Sequence, residues 1–175
     1  MKVLLTIFFL VNGLVAILPA ASNQQTNGKL RLGDPVPAVT STDQNGKRVN
    51  LAHAADTGYA VVYFYPKAMT PGCTAQACSL RDAYVQLQEK GVKVFGVSLD
   101  PVETQKVFAQ KEHLPFELLS DTDRQVTSAF GVPLIMNALA TRQAYLFKEG
   151  KLIWFDTKAS TDKQAQDVLA VLASH

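Results

Sequence analysis

From residue 30 onward, short apolar runs alternate with amphipathic stretches, as in folds that interleave strands with helices. A continuous run of β-branched and aromatic residues predicts a buried strand at 59–66. A second buried strand is predicted at 92–99, and a short strand at 116–121. Apolar positions at helical spacing predict helices at 71–90, 101–113, 123–130 and 161–173. Residues 142–156 predict a hairpin that turns at Glu149–Gly150. The pattern therefore predicts an α/β fold, with a mixed central β-sheet flanked by helices.

The first 22 residues have the layout of a secretory signal peptide: Lys2, a long apolar run, then small residues. Cleavage is expected after residue 20, 21 or 22, which implies export, to the periplasm in a bacterium. The alternative is an uncleaved membrane anchor, because 3–21 is just long enough to span a bilayer. Residues 23–29 are polar and predict a tether, followed by one folded domain at 30–175.

Composition excludes several classes of function. The chain is 47% hydrophobic and 18% charged, with a net charge of +2 and no basic cluster, so we expect no nucleic-acid partner. Two cysteines supply neither a disulfide framework nor a four-cysteine zinc site. The three histidines are scattered, so we predict no metal and no cofactor.

The two cysteines lie in the segment "YFYPKAMTPGCTAQACSLRD" (63–82), where a strand gives way to a helix. Pro66 closes the predicted strand, Thr70 is a good N-cap, and Pro71 suits the first helical position. Cys73 therefore falls in the first helical turn, where unpaired N–H groups and the helix dipole favour an anion. Gly72 leaves room for a small substrate. These surroundings, unusual for a core cysteine, predict that Cys73 is a partly ionised nucleophile.

Cys78 follows Cys73 by five residues, a separation that an intact helix makes unsuitable for a disulfide. Positions i and i+5 differ by a rise of about 7.5 Å and about 140° around the axis. A disulfide requires Cα atoms within about 7 Å and side chains that face each other. The cysteines could pair only if the helix melted between residues 74 and 78. Alternatively, Cys78 is a small buried hydrophobe. Arg81 and Asp82 are interpreted as a solvated helix face.

The stretch "YPKAMTPGCTAQAC" resembles the active-site segment of peroxiredoxins, in the bacterioferritin-comigratory or Q subgroup. Peroxiredoxins share a Pro-x-x-x-Thr-x-x-Cys motif, which Pro66, Thr70 and Cys73 match. The subgroup often places a second cysteine five residues later, as Cys78 is placed here. The resemblance covers nearly the whole chain from residue 32 to the final hairpin.

The resemblance implies a thioredoxin-like fold and a thiol peroxidase that reduces hydrogen peroxide and organic hydroperoxides. Cys73 would be the peroxidatic cysteine and Cys78 the resolving cysteine, joined in an intramolecular disulfide that a thioredoxin-like protein reduces. Thr70 would hydrogen-bond the thiolate and the peroxide, and Pro66 would shield the sulfur from water. Arg142 would stabilise the thiolate and the charge that develops on the peroxide. The subgroup is often monomeric, and we expect a monomer.

The chain departs from the subgroup at 133–141, where a short apolar segment replaces a longer tryptophan- and glycine-rich insertion. Two other functions compete with the peroxidase. A disulfide oxidoreductase would share the fold, but such enzymes depend on Cys-x-x-Cys, which is absent. A redox sensor or chaperone would use the same disulfide as a switch. A peroxidase turns over repeatedly with a reductant, whereas a sensor stops after one oxidation.

Overall fold

The computed structural model describes residues 29–174. The predicted signal peptide at 1–22 lies outside the described residues, as does all but the last residue of the predicted tether at 23–29. None of the helices in 29–174 combines the length and the apolar sequence that a membrane span requires.

The chain forms nine strands and six helices within 29–174. The strands are β1 (Thr40–Asp43), β2 (Arg48–Asn50), β3 (Tyr59–Phe64), β4 (Val92–Ser98), β5 (Glu117–Ser120), β6 (Leu134–Ile135), β7 (Leu139–Ala140), β8 (Gln143–Lys148) and β9 (Lys151–Asp156). The helices are α1 (Leu51–Ala54), α2 (Pro71–Asp82), α3 (Tyr84–Glu89), α4 (Val102–Lys111), α5 (Gln125–Ala129) and α6 (Gln164–Leu172).

Seven of these strands form one sheet in the order β2-β1-β5-β4-β3-β8-β9. The three central strands β3, β4 and β5 run parallel, and the outer strands pair antiparallel. The hairpin of β8 and β9 turns at Glu149 and Gly150, both at positive φ (47° and 72°), as a tight hairpin turn requires. The predicted mixed sheet and the predicted turn are both confirmed.

Strand β3 is buried on both faces, which explains its uninterrupted apolar sequence. Val61 and Tyr63 point into one core, which includes residues of α2, α3, α4 and α6. Val62 and Phe64 point into a second core on the opposite face, which includes residues of α5. Cys73 belongs to the first core, so the helices that cover this face also surround the candidate nucleophile.

Gly96 makes room for a large side chain beside that core. It pairs with Tyr63 on the neighbouring strand. A Cβ atom at Gly96 would lie 2.7 Å from the Tyr63 hydroxyl oxygen and 2.7 Å from Leu118 Cδ2. The absence of a side chain at this position therefore allows the Tyr63 ring to lie across β4.

The predicted single helix from 71 to 90 is wrong in one respect, because it breaks at Ala83. Ala83 has φ −97° and ψ 8°, outside the helical range, and separates α2 from α3. Leu80 in α2 and Leu87 in α3 are both fully buried on either side of the break. Gly91 has φ +70° and follows the end of α3, as predicted.

Candidate active site

Helix α2 begins as the sequence predicted. Thr70 has the extended backbone of an N-cap residue (φ −83°, ψ 151°), and Pro71 is the first helical residue. Cys73 therefore lies in the first turn, where backbone N–H groups are directed out of the helix end. The Thr70 hydroxyl does not cap the helix but donates a hydrogen bond to the Lys67 carbonyl oxygen (3.0 Å).

The Cys73 side chain is only 1% exposed, which the unusual surroundings had not led us to expect. It packs in the first core with Tyr63, Tyr65 and Ala77, and it is a free thiol, as is Cys78. Burial excludes water from the sulfur and strengthens its electrostatic interactions. It also restricts the sulfur to small reactants.

Arg142 lies beside this sulfur, with its Nη2 atom 3.4 Å from Cys73 Sγ. The hairpin of β6 and β7 directly precedes Arg142 in the chain and leads it to this position. Met136 and Asn137 form the tip of that hairpin at positive φ (49° and 55°), and Thr141 N–H closes its base by donating to Pro133 O (2.9 Å). The divergent segment 133–141 is thus a hairpin, and Arg142 follows it at the entry to β8.

Two buried glutamines extend from Arg142 in a chain of hydrogen bonds, and sequence reasoning missed both. Arg142 Nη1 donates a hydrogen bond to Gln76 Oε1. Gln76 Nε2 in turn donates to Gln164 Oε1 (2.9 Å). Both glutamines are fully buried. The signal for Gln76 was available, because it is a polar residue on the buried stripe of α2, one turn after Cys73. The same signal was available for Gln164, which shares the buried face of α6 with Val168 and Leu172. The bond between the two glutamines had no signal, since they lie 88 positions apart.

The carboxylate of Asp100 anchors the segment between β3 and α2 by a hydrogen bond. Asp100 Oδ2 accepts hydrogen bonds from Ala68 N–H (2.8 Å) and from the Ser98 hydroxyl (2.8 Å). Pro66 and Thr70 flank this anchored point, and both are half-buried. The structure therefore brings Pro66, Thr70 and Cys73 onto one short, fixed segment.

Gly72 keeps the approach to the helix start open. A Cβ atom at Gly72 would lie 3.4 Å from Arg142 Nη2 and 3.4 Å from Thr161 Cγ2. A larger side chain would therefore crowd the guanidinium group and the segment before α6, so glycine preserves room next to Arg142.

Cys78 lies in the same continuous helix as Cys73, so the spacing argument against a disulfide applies to this conformation. Its thiol is 3.8 Å from Glu112 Oε2, at the end of α4. The sequence predicts that Arg81 is solvated, but its Nη1 atom donates to the Glu112 carbonyl oxygen (2.7 Å). Arg81 thereby ties α2 to α4, while Asp82 is exposed.

The sequence profile of the AhpC/TSA family matches residues 32–155, most of the chain. The chain belongs to the AhpC/TSA family. It is 52% identical over 103 residues to Peroxiredoxin Bcp of Escherichia coli K12, a match that covers 59% of this chain and 65% of that relative. The match thus spans slightly less than two thirds of the relative. The chain is also 35% identical to the chloroplastic Peroxiredoxin Q of Oryza sativa subsp. japonica, over 91% of this chain and 75% of that protein.

Solved structures agree with this family. Peroxidoxin BcpB of Mycobacterium tuberculosis is 33% identical with a TM-score of 0.76, over 83% of this chain and 97% of that one. A Xanthomonas campestris bacterioferritin comigratory protein, described with alkyl peroxide reduction activity, is 29% identical with a TM-score of 0.75, over 83% and 97%. The predicted thioredoxin-like fold and the predicted subgroup resemblance are confirmed.

In this AhpC/TSA family member, the environment of the second cysteine favours its neutral form. Burial raises the pKa of the Cys78 thiol, and the carboxylates of Glu112 and Asp82 raise it further, while Arg81 lowers it. A thiol with a raised pKa remains protonated to higher pH. It can therefore donate to the Glu112 carboxylate.

Replacing Glu112 with glutamine is expected to move the titration of Cys78 to lower pH. The amide carries no negative charge, so it no longer opposes formation of the thiolate. The rate of iodoacetamide alkylation of Cys78, measured against pH in a Cys73→Ser background, reports the midpoint. Glu103→Gln, which removes an exposed carboxylate in the first turn of α4, is the matched control and should leave the midpoint unchanged. An unchanged or higher midpoint in Glu112→Gln would refute this account of the Cys78 thiol.

Within 29–174, no group of three or more His, Cys, Asp or Glu side chains is arranged to hold a metal ion.

Proposed function

We propose that this protein is a thiol peroxidase that reduces hydrogen peroxide and organic hydroperoxides with Cys73 as the nucleophile. The observation that carries the proposal is the placement of Cys73 Sγ in the first turn of α2, 3.4 Å from Arg142 Nη2. Helix N–H groups and a guanidinium group both favour negative charge on the sulfur. The activity described for the Xanthomonas campestris relative supports the same chemistry.

In the first step, the Cys73 thiolate attacks one oxygen of the peroxide. The O–O bond breaks, the sulfur becomes a sulfenic acid, and the departing oxygen takes a proton to leave as water or an alcohol. We expect the guanidinium group of Arg142 to stabilise the charge that develops on the peroxide oxygens. Since the Thr70 hydroxyl already donates to Lys67 O, its lone pairs are free to accept the peroxide O–H. Pro66 is proposed to keep water away from the sulfur.

In the second step, the Cys78 thiol condenses with the sulfenic acid of Cys73. An S–S bond forms, the C–S bonds persist, and the sulfenic hydroxyl leaves as water with the thiol proton. The helix must unwind between residues 74 and 78 for the sulfurs to meet. A thioredoxin-like protein is the proposed reductant that returns both thiols.

The proposal extends to the location and assembly of the enzyme. Lys2, the apolar run after it and the small residues near 20–22 support export, with the periplasm as the expected compartment and a membrane anchor as the alternative. An exported enzyme would need a reductant outside the cytosolic thiol pool. We propose that it acts as a monomer without a metal or other cofactor.

Repeated turnover is the test of this function. With hydrogen peroxide in large molar excess and dithiothreitol as the reductant, the protein is expected to consume many equivalents of peroxide per chain. A sensor or chaperone that uses the same cysteines would stop after one oxidation per chain. Peroxide consumption that stops at one equivalent despite a fresh supply of dithiothreitol would reject the enzyme.

A further inference from the structure

A buried chain of hydrogen bonds leads from the reactive sulfur to helix α6. Arg142 contacts Cys73 Sγ at 3.4 Å and Gln76 Oε1 with its other terminal nitrogen. Gln76 Nε2 donates to Oε1 of Gln164, the first residue of α6, at 2.9 Å. Both amide side chains have no exposed surface, so water does not compete for these bonds.

The chemistry of the guanidinium group fixes the direction of this chain. Arg142 has only donors, so Gln76 must present its oxygen to it. The NH₂ group of Gln76 then faces α6, and the side-chain oxygen of Gln164 must accept its hydrogen bond. The remaining NH₂ group of Gln164 is buried without a hydrogen-bond partner. Leaving a buried donor without a partner is unfavourable, so Gln164 keeps this orientation although one of its own polar groups makes no hydrogen bond.

Gln164 is itself held in place by the start of α6. The neighbouring Ala165 N–H donates to the Ser79 hydroxyl of α2 at 3.1 Å. Lys163 N–H donates to the Ser160 hydroxyl at 3.0 Å and so fixes the turn before the helix. The oxygen of Gln164 that accepts from Gln76 therefore belongs to an anchored helix start and not to α2 itself.

We propose that Gln164 is a positioning residue for the reaction at Cys73. Its oxygen fixes the amide of Gln76, and the amide of Gln76 fixes the guanidinium group of Arg142 against the sulfur. The inference rests on the proposed function for its purpose. Whatever the reaction partner of Cys73, Gln164 controls the reactivity of the Cys73 sulfur without contacting it.

The test compares variants of the full chain in a Cys78→Ser background, where Cys73 is the single thiol. Two rate constants are measured at one pH: oxidation of Cys73 by hydrogen peroxide, with dimedone trapping and intact mass, and alkylation of Cys73 by iodoacetamide. Gln164→Met removes the acceptor and keeps the side-chain length. We expect both rates to fall about tenfold, because a displacement of about 1 Å at a reacting centre can lower a rate by up to about a hundredfold.

Rescue and coupling separate positioning from a general structural effect. Gln164→Glu keeps an oxygen for Gln76 and should restore the rates to within about twofold of the parent. In an Arg142→Met background, Gln164→Met should lower neither rate further, because its effect passes through Arg142. Gln44→Met is the matched control: it removes another buried amide, which binds Phe116 O and Leu118 N–H, and should leave both rates unchanged.

Three results overturn the inference: unchanged rates in Gln164→Met, equal losses in Gln164→Met and Gln164→Glu, or a full further loss in the Arg142→Met background. If Gln164→Met does not fold, Gln164→Asn, whose shorter side chain withdraws the oxygen from Gln76, is judged by the same criteria. The alkylation rate needs no peroxide chemistry. A parent that ignores peroxide but loses alkylation rate in Gln164→Met would reject the peroxidase and uphold the inference.

Discussion

Replacing Cys73 with serine is expected to lower peroxide consumption by at least about a thousandfold, because loss of a nucleophile removes the reaction path itself. A serine hydroxyl remains protonated at neutral pH and is not oxidised by peroxide. The substitution changes one atom in a fully buried site, so the helix start and the Arg142 contact should persist. The assay is peroxide consumption with excess dithiothreitol, and the thermal unfolding midpoint checks that the fold is retained.

The matched control for this variant is Cys78→Ser in the same assay. It removes the other thiol of α2 by the same change of atom, while dithiothreitol can still reduce the sulfenic acid of Cys73 directly. We therefore expect Cys78→Ser to retain peroxide consumption with dithiothreitol. If Cys73→Ser retains a substantial rate and Cys78→Ser does not, the nucleophile has been assigned to the wrong cysteine.

With a thioredoxin-like protein as the reductant, by contrast, Cys78→Ser is expected to lose about a hundredfold or more in turnover. The rate of the first oxidation of Cys73 should stay within about twofold, because Cys78 does not contact the reacting sulfur in the wound helix. Without Cys78, no intramolecular disulfide forms, and the protein reductant must act on the sulfenic acid of Cys73, a residue that is 1% exposed in the folded chain. Stopped-flow oxidation and steady-state turnover measure the two steps separately.

Adding a small thiol to the same assay tests whether the defect of Cys78→Ser lies in the recycling step. Dithiothreitol added to Cys78→Ser should rescue turnover, since it can reach the buried sulfur. If Cys78→Ser instead recycles at the parent rate with the thioredoxin-like protein alone, Cys78 is a packing residue and the proposed second step is wrong.

Much of the fold could be predicted from the sequence because its central strands are buried on both faces. The run at 59–64 carries no polar residue, so its strand is evident without tertiary information. The short strands β1, β2, β6 and β7 were not predicted, since β1 and β2 are mostly polar and β6 and β7 have only two residues each. The break at Ala83 was missed because the apolar spacing continues through it, so that the pattern alone predicts one helix.

The candidate site, like the fold, has parts that the sequence predicts and parts that it does not. The position of Cys73 at a helix start follows from local signals in Thr70 and Pro71, which act over a single turn. Arg142 was expected from the family resemblance, and the structure brings it to the sulfur. The bond between Gln76 and Gln164 could not be predicted, because it joins two helices whose glutamines lie 88 positions apart in the sequence.

The most direct test of the account is a count of thiols and an intact mass for the fully reduced full chain, before and after one equivalent of hydrogen peroxide. The account predicts the loss of both thiols and a decrease of about two hydrogens in mass, through the sulfenic acid and then the disulfide. That product would also require α2 to unwind between the cysteines, because a wound helix cannot hold the bond. Two thiols that persist after prompt mixing, with an unchanged mass, would show that Cys73 is not activated and would contradict the peroxidase.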